Sequence, residues 1–376
     1  MNRDSKARTQ DQNLRRLVPP LLDWFAKHAR DLPWRRTRDA YAVWVSEVML
    51  QQTQVATVIP YWSRWMRDLP TIESVARAAP GRLHKLWEGL GYYTRVRNLQ
   101  EAAQRICSDH GGQFPRRFED ILALPGIGRY TAGAIASIAF DQPAPILDGN
   151  VIRVFTRLFG IRQNPRDRKT SERLWRLADQ LVHQASRVAN HPSPSSHFNQ
   201  SLMELGALVC TPRSPKCGDC PVAAHCVALR LGCVGKLPRV AKRQHPTARQ
   251  FVAFVAHRNG RWLVRQRPAG VVNAHLWEFP NVEITSRRSG IKTLARHALG
   301  CAPGSLELLC VIRHVITRHR ITLQTCRVTL RARPSPNAGV WLASAQLRPL
   351  AFTSAHKKVL NLVNGQDSQP SHGKTG

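Results

Sequence analysis

Apolar residues along the first part of this chain recur at steps of three and four, the period of a helix that buries one face. The pattern runs from position 17 to about 230, and Pro33, Pro70, Pro80, Pro115 and Pro125 punctuate it into short helices. From Phe251 the period changes. Residues 251–256 and 262–264 read as two strands around an Asn259-Gly260 turn, a strong hairpin signal. Further strands are expected over 306–316, 321–330 and 340–343, and a helix from Thr353 or Ser354 to Val363. Between the two regimes lies a basic, proline-containing stretch that reads as a linker. The expected organisation is a loose basic N-terminus (1–16), an all-helical domain (17–232), the linker (233–250), a smaller mixed α/β domain (251–363) and a disordered tail (364–376). The fold class is therefore multidomain, α followed by α/β.

Composition adds a partner. The 376 residues suit two domains, and a hydrophobic content of 43% supports real cores. Lys plus Arg number 56 against 24 Asp plus Glu, a net charge of +32, which points to a polyanion. Charge alone does not separate that from simple solubility. No apolar run approaches the ~18–20 residues of a membrane span, so no membrane partner is expected. The chain opens MNRDSKART without an apolar leader-like stretch, and its nine cysteines fit no secreted framework. A reducing, cytoplasmic location is expected, at the nucleoid if the source is bacterial.

Four of those cysteines change the picture more than the charge does. Cys210, Cys217, Cys220 and Cys226 are spaced C-x6-C-x2-C-x5-C across polar, turn-forming residues. Buried hydrophobic cysteines would not sit in such surroundings, and a disulfide does not suit the compartment. Structural zinc is the rival, but it usually draws ligands from two separated pairs. A compact, uneven all-cysteine run suits a [4Fe–4S] cluster better.

Candidate chemistry gathers around three further segments. In LPGIGRYT (124–131), Gly126 and Gly128 permit positive φ and let backbone N–H groups approach a ligand closely. The helix expected from Thr131 presents its positive end there, so the hairpin can hold a phosphate; it is equally a tight helix–turn–helix joint. Asp148, in PILDGNV (145–151), is placed to cap a helix over 151–159, and a capping carboxylate can also face a cleft. Glu47 is the one acid between Asp39 and Asp68, amid Val43, Trp44, Val45, Val48, Met49 and Leu50. Desolvation there should raise its pKa and make it a proton donor near neutrality; the alternative is a buried Glu paired with Arg35 or Arg38.

Taken together, the hairpin, the downstream Asp and the four cysteines resemble the helix-hairpin-helix DNA glycosylase superfamily that includes endonuclease III. LPWR (32–35), SEVMLQQT (46–53), WEGLGYY (87–93) and DGN (148–150) resemble specifically the adenine DNA glycosylase (MutY) family. The motifs span roughly positions 32 to 226. This resemblance implies that Glu47 protonates adenine at N7 and that Asp148 stabilises the oxocarbenium-like sugar. It implies that Tyr130 and Asn150 orient these groups and that Arg35 lines the adenine pocket. Gln52, Leu90 and Tyr92 match positions that wedge into the duplex, although Trp87, Leu90 and Tyr92 also suit ordinary helix-end packing. Cleaving an N-glycosidic bond calls for an acid and a carboxylate, and the base must leave the stack to be reached. Bifunctional relatives carry Lys where this hairpin has Tyr130, and a phenol forms no Schiff base. The implied enzyme is a monofunctional, monomeric DNA N-glycosylase of base excision repair. It would remove adenine opposite 8-oxoguanine or guanine in double-stranded DNA and leave an abasic site.

LWEFP (276–280) and the strand order resemble a Nudix fold. Active Nudix enzymes bind Mg²⁺ through carboxylates on one helix, yet the matching residues 291–300 (IKTLARHALG) hold no Asp or Glu. A binding module is expected instead. In the family this domain reads 8-oxoguanine with a Phe-Ser-His loop; here Ile316, Thr317 and Arg318 stand at that place. Thr317 keeps the hydroxyl, and Arg318 replaces an imidazole with a permanently charged fork. Two other readings remain: a pyrimidine-lesion glycosylase/lyase, disfavoured by Tyr130 and the Nudix-like domain, and a non-catalytic iron–sulfur DNA-binding or redox-sensing protein.

Overall fold

The computed structural model describes residues 14–240, 246–286, 290–316 and 318–366. They fall into two units. One holds the residues before Ala78 together with Asn98–Lys242; the other holds Ala78–Arg97 and the residues after Lys242. The helices of the first part of the chain are α1 (Val18–His28), α2 (Ala40–Leu50), α3 (Val55–Asp68), α4 (Ile72–Arg77), α5 (Pro80–Leu86), α6 (Thr94–Asp109), α7 (Phe118–Leu122), α8 (Arg129–Phe140), α9 (Gly149–Leu158), α10 (Arg168–Ala185), α11 (Pro194–Leu208) and α12 (Val227–Arg230).

In the helical unit, α1, α9, α10 and α11 share one core, in which Phe25, Phe155, Leu174, Phe198 and Leu202 are buried. Asp39 starts α2 by accepting hydrogen bonds from the backbone N–H groups of Tyr41 and Ala42, both 3.2 Å. Every residue of α2 except Leu50 is buried. Such a helix packs on all sides, so a polar side chain on it is desolvated wherever it points.

The hairpin joins α7 to α8. Gly126 has φ +74°, and a Cβ there would lie 2.6 Å from that of Asn98, so conformation and space both demand glycine. Gly128 differs from expectation. Its φ of −93° suits any residue, and it serves as the N-cap of α8, which begins at Arg129 instead of Thr131.

The second unit carries a seven-stranded sheet of β1 (Thr247–Arg258), β2 (Arg261–Gln266), β3 (Trp277–Glu278), β4 (Asn281–Glu283), β5 (Pro303–Ile316), β6 (His319–Leu330) and β7 (Val340–Ala343), with α13 (Ile291–Leu299), α14 (Ser344–Leu347) and α15 (Ser354–Gln366). The main order is β3-β2-β1-β6-β5, with β4 pairing β1 and β7 pairing β2. Asn259 and Gly260 both have positive φ (+50° and +70°), as a tight hairpin turn with the strands' own twist requires. Successive residues of β1 face opposite ways. Val252, Phe254 and Ala256 pack with α13, while Ala253 and Val255 pack with α15, so both faces are buried and the strand reads as an unbroken apolar run. The strand starts at Thr247, inside the expected linker, because its first residues pair in parallel with β6 from His319 onward. Likewise α15 continues past Val363 to Gln366.

Residues Ala78–Arg97 group with this sheet unit. The reason is visible at Glu88: its carboxylate accepts from the Phe352 backbone N–H at 2.8 Å and pairs with Lys85 (2.8 Å) and Lys357 (3.6 Å). The Lys85 ammonium also donates to the Leu350 carbonyl at 3.0 Å.

Candidate active site

A cavity of about 590 Å³ in the helical unit brings together most of the candidate residues. Glu47, Tyr130, Asp148, Asn150, Arg35 and Gln52 all line it. Glu47, on α2, is 5% exposed. Burial pushes its pKa up to about 7, and the nearby Asp148 charge adds to that; a hydrogen bond from Tyr130 and the charge of Arg35 pull the other way. The Tyr130 hydroxyl, from α8, donates to Glu47 Oε2 at 2.9 Å. Burial, then the two carboxylates, hold this phenol well above its usual range, so it stays a donor. Among the described residues no Lys or Arg is ion-paired with Glu47, and that decides between the two sequence readings in favour of the raised acid.

Asp148 does both jobs proposed for it. Its Oδ1 accepts from the Val151 backbone N–H at 2.8 Å and caps α9, while Oδ2 accepts from the Asn150 amide at 3.0 Å. Asn150 is held in turn by Arg153, whose Nη2 donates to Asn150 Oδ1 (2.8 Å) and to the Gly206 carbonyl (2.6 Å). Capping keeps the carboxylate's place in the cavity fixed by the helix start, not by a mobile side chain.

Arg35 lines the cavity as expected but does not pair with Glu47. Its Nη2 donates to Glu204 at 2.9 Å, and its guanidinium lies 5.3 Å from the Phe25 ring. Glu204, on α11 and almost fully buried, also takes two side-chain hydrogen bonds from Arg30. Burial alone would raise its pKa; hydrogen bonds from Arg30 and Arg35 outweigh it and bring it down to about 2. Glu204 was missed in the sequence, since nothing local marks a partner 169 residues from Arg35. Its neighbour Met203 was missed too, and its Sδ accepts from the Tyr130 hydroxyl at 3.2 Å.

The four cysteines lie on the loop after α11, each partly exposed. They are near enough to influence one another: burial first, then the charges of Cys210, Cys226 and Cys217, push the Cys220 thiol up to about 11. Among the described residues no three His, Cys, Asp or Glu side chains form a site for one metal ion. Four thiols on one short loop, within electrostatic reach of one another, are a donor set that fits an iron–sulfur cluster. Arg157 holds the loop. It is 2% exposed, and it donates to the carbonyls of Cys210 (3.3 Å), Thr211 (2.8 Å) and Pro212 (3.2 Å) and to Cys210 Sγ (3.3 Å). Arg153 Nε adds a bond to the Cys210 carbonyl at 2.7 Å.

Known proteins share this layout. Residues 45–180 match the model of the HhH-GPD superfamily base excision DNA repair proteins, 210–226 the iron–sulfur binding domain of endonuclease III, and 251–362 the NUDIX domain. The human adenine DNA glycosylase is 37% identical over 92% of this chain and 73% of its own length. That of Arabidopsis thaliana is 38% identical over 80% of this chain and 55% of its own. The chain belongs to the adenine DNA glycosylase family. A solved structure of a thermostable thymine-DNA glycosylase, 29% identical, superposes with TM-score 0.52 over 59% of this chain and 99% of that one. The matched stretch 210–226 shows that the chain carries a [4Fe–4S] cluster, and Cys210, Cys217, Cys220 and Cys226 all lie within it.

Within this family framework the remaining candidates separate. Gln52 is exposed at the cavity with φ +57°, a strained conformation for a residue with a side chain. Gly89 (φ +112°) and Gly91 (φ +71°) make the expected turn, and Tyr92 is displayed from it at 45% exposure. Leu90 is 6% exposed and buried like Trp87, an arrangement that suits the helix-end packing alternative. Arg95 fixes the turn: its Nη2 donates to the carbonyls of Leu90 (2.9 Å) and Gly91 (3.1 Å). In the sheet unit, Arg318 is exposed in the turn between β5 and β6, and its carbonyl accepts from the Thr247 N–H at 2.9 Å. Thr317 lies outside the described residues.

Proposed function

We propose that this member of the family excises adenine lying opposite 8-oxoguanine or guanine in duplex DNA and leaves an abasic site with the strand uncut. The observation that carries this is the convergence of a protonatable Glu47, its phenol partner Tyr130 and the capped carboxylate of Asp148 on one cavity. At about 590 Å³ the cavity has the size of an ordinary ligand site, ample for one flipped purine. With its pKa near 7, Glu47 is protonated in a large fraction of molecules at neutral pH and can give that proton to adenine N7. The base then departs neutral with the bonding electrons, and the negative Asp148 faces the positive charge left on the sugar. Tyr130 supplies no amine, which supports hydrolysis over Schiff-base cleavage. Arg318, exposed at the turn, and Thr317 are the proposed contacts to the opposite base, with Tyr92 and Gln52 as the groups that enter the duplex.

The test is incubation of the intact protein with duplexes holding adenine opposite 8-oxoguanine, guanine or thymine. Strand breaks are expected only after alkali, and chiefly in the first two. Breaks before alkali would overturn the monofunctional reading, and equal release opposite thymine would overturn the opposite-base reading.

A further inference from the structure

The Tyr130 hydroxyl carries one proton and faces two acceptors, Glu47 Oε2 at 2.9 Å and Met203 Sδ at 3.2 Å. When Glu47 is a carboxylate, the phenol donates to it. When Glu47 carries the proton that the reaction needs, that proton can point at the phenol oxygen, and the phenol's own hydrogen must go elsewhere. The thioether is the acceptor the structure provides, weak but soft and already in place. We infer that Met203 is a positioning residue for the acid: by accepting the Tyr130 hydrogen bond it stabilises protonated Glu47 with its O–H directed along the Glu47–Tyr130 axis. This rests on the proposed role of Glu47 as the proton donor.

The surroundings make Met203 the natural recipient. Titratable and charged groups facing Glu47 are Tyr130 from α8, Asp148 from the cap of α9 and Arg35 from the turn before α2. Asp148 is already occupied by Asn150 and by the Val151 N–H, and Arg35 has no acceptor to offer and is engaged by Glu204. Met203 and Glu204 are consecutive on α11, so one stretch of helix accepts the phenol's hydrogen bond and also anchors the nearest guanidinium.

The test is the pH profile of single-turnover adenine release by the intact protein, with Met203→Leu and Met203→Gln as variants. Losing a weak acceptor should move the high-pH limb of Met203→Leu down by about half a pH unit, roughly a threefold slower rate above neutrality, with the low-pH plateau retained. Met203→Gln offers a stronger carbonyl acceptor and should move the limb back to or above the wild-type position. Superimposable limbs in all three proteins, or a uniform loss at every pH in both variants, would show Met203 to be only a wall of the cavity. A wild type that releases no adenine at any pH overturns the proposed function itself, a result distinct from either of these.

Discussion

Two buried glutamates, one in each unit, show how little burial alone determines. Glu47 in the helical unit is 5% exposed and Glu278 in the sheet unit 2%. Glu47 meets a phenol and lies near another carboxylate, without an ion-paired cation among the described residues, and its pKa is pushed up to about 7. Glu278 is clamped by Arg265 and Arg267, and the buried His356 beside it accepts the Phe279 N–H at 3.1 Å. The first arrangement leaves an acid ready to give up a proton; the second spends its charge on two arginines, Arg265 on β2 and Arg267 just past its end. A lone acid in an apolar run is a catalytic candidate only when no arginine reaches it.

The largest effect that tests this contrast is on chemistry. Glu47→Gln keeps the shape and removes the proton, so adenine release should fall by at least ~10²-fold in single-turnover assays while duplex binding persists. Near-normal release would move the acid elsewhere. The same variant should also change stability. A carboxyl whose pKa is higher folded than unfolded contributes stability that is full below about 4.5 and lost as pH rises towards about 7. The unfolding free energy of wild type should therefore fall through that window, by up to ~3 kcal/mol, and that of Glu47→Gln should be flatter, as denaturant titrations at each pH would show. The mirror experiment is Glu278→Gln. Losing that charge leaves two guanidiniums partly uncompensated and should cost ~1–3 kcal/mol by denaturant titration, with single-turnover chemistry in the folded fraction unchanged. A smaller effect is expected at the surface. Arg318→Ala should lower the preference for 8-oxoguanine if the fork touches the base. If it holds a phosphate, it should instead weaken all duplexes alike and flatten the salt slope by about one. An Arg318→Ala protein indistinguishable in both respects removes this turn from the recognition surface.

Legibility from sequence followed the range of the interactions involved. Glu47 stood out because its neighbours within four residues are apolar, and the tight turn at Asn259-Gly260 needed no more than two residues to declare itself. Asp148 declared a cap, and the structure gave it one. Glu204 and Met203 sit on a helix whose periodicity describes only its packing, and their partners are 169 and 73 residues away. Strands β3 and β4, of two and three residues, are too short to show a period, and they exist because β2 and β1 offer them a free edge. The burial of Leu90 was not legible for a related reason: flanking glycines mark a turn, but which of its side chains faces water depends on packing that glycines do not specify.

The double duty of Asp148 bears on how freely this position can vary. Glutamate would keep the charge but is a poor cap, with its carboxylate one methylene further out. Asparagine or serine would cap α9 as well as aspartate does, yet bring no charge to the cavity. Under the proposed role of Asp148, a drifting sequence would therefore meet a ridge here: one direction frays the helix and the other takes the charge from the cavity. Substitutions at 148 that keep the fold intact are on that proposal the ones that would pass unnoticed in a stability screen and still slow adenine release.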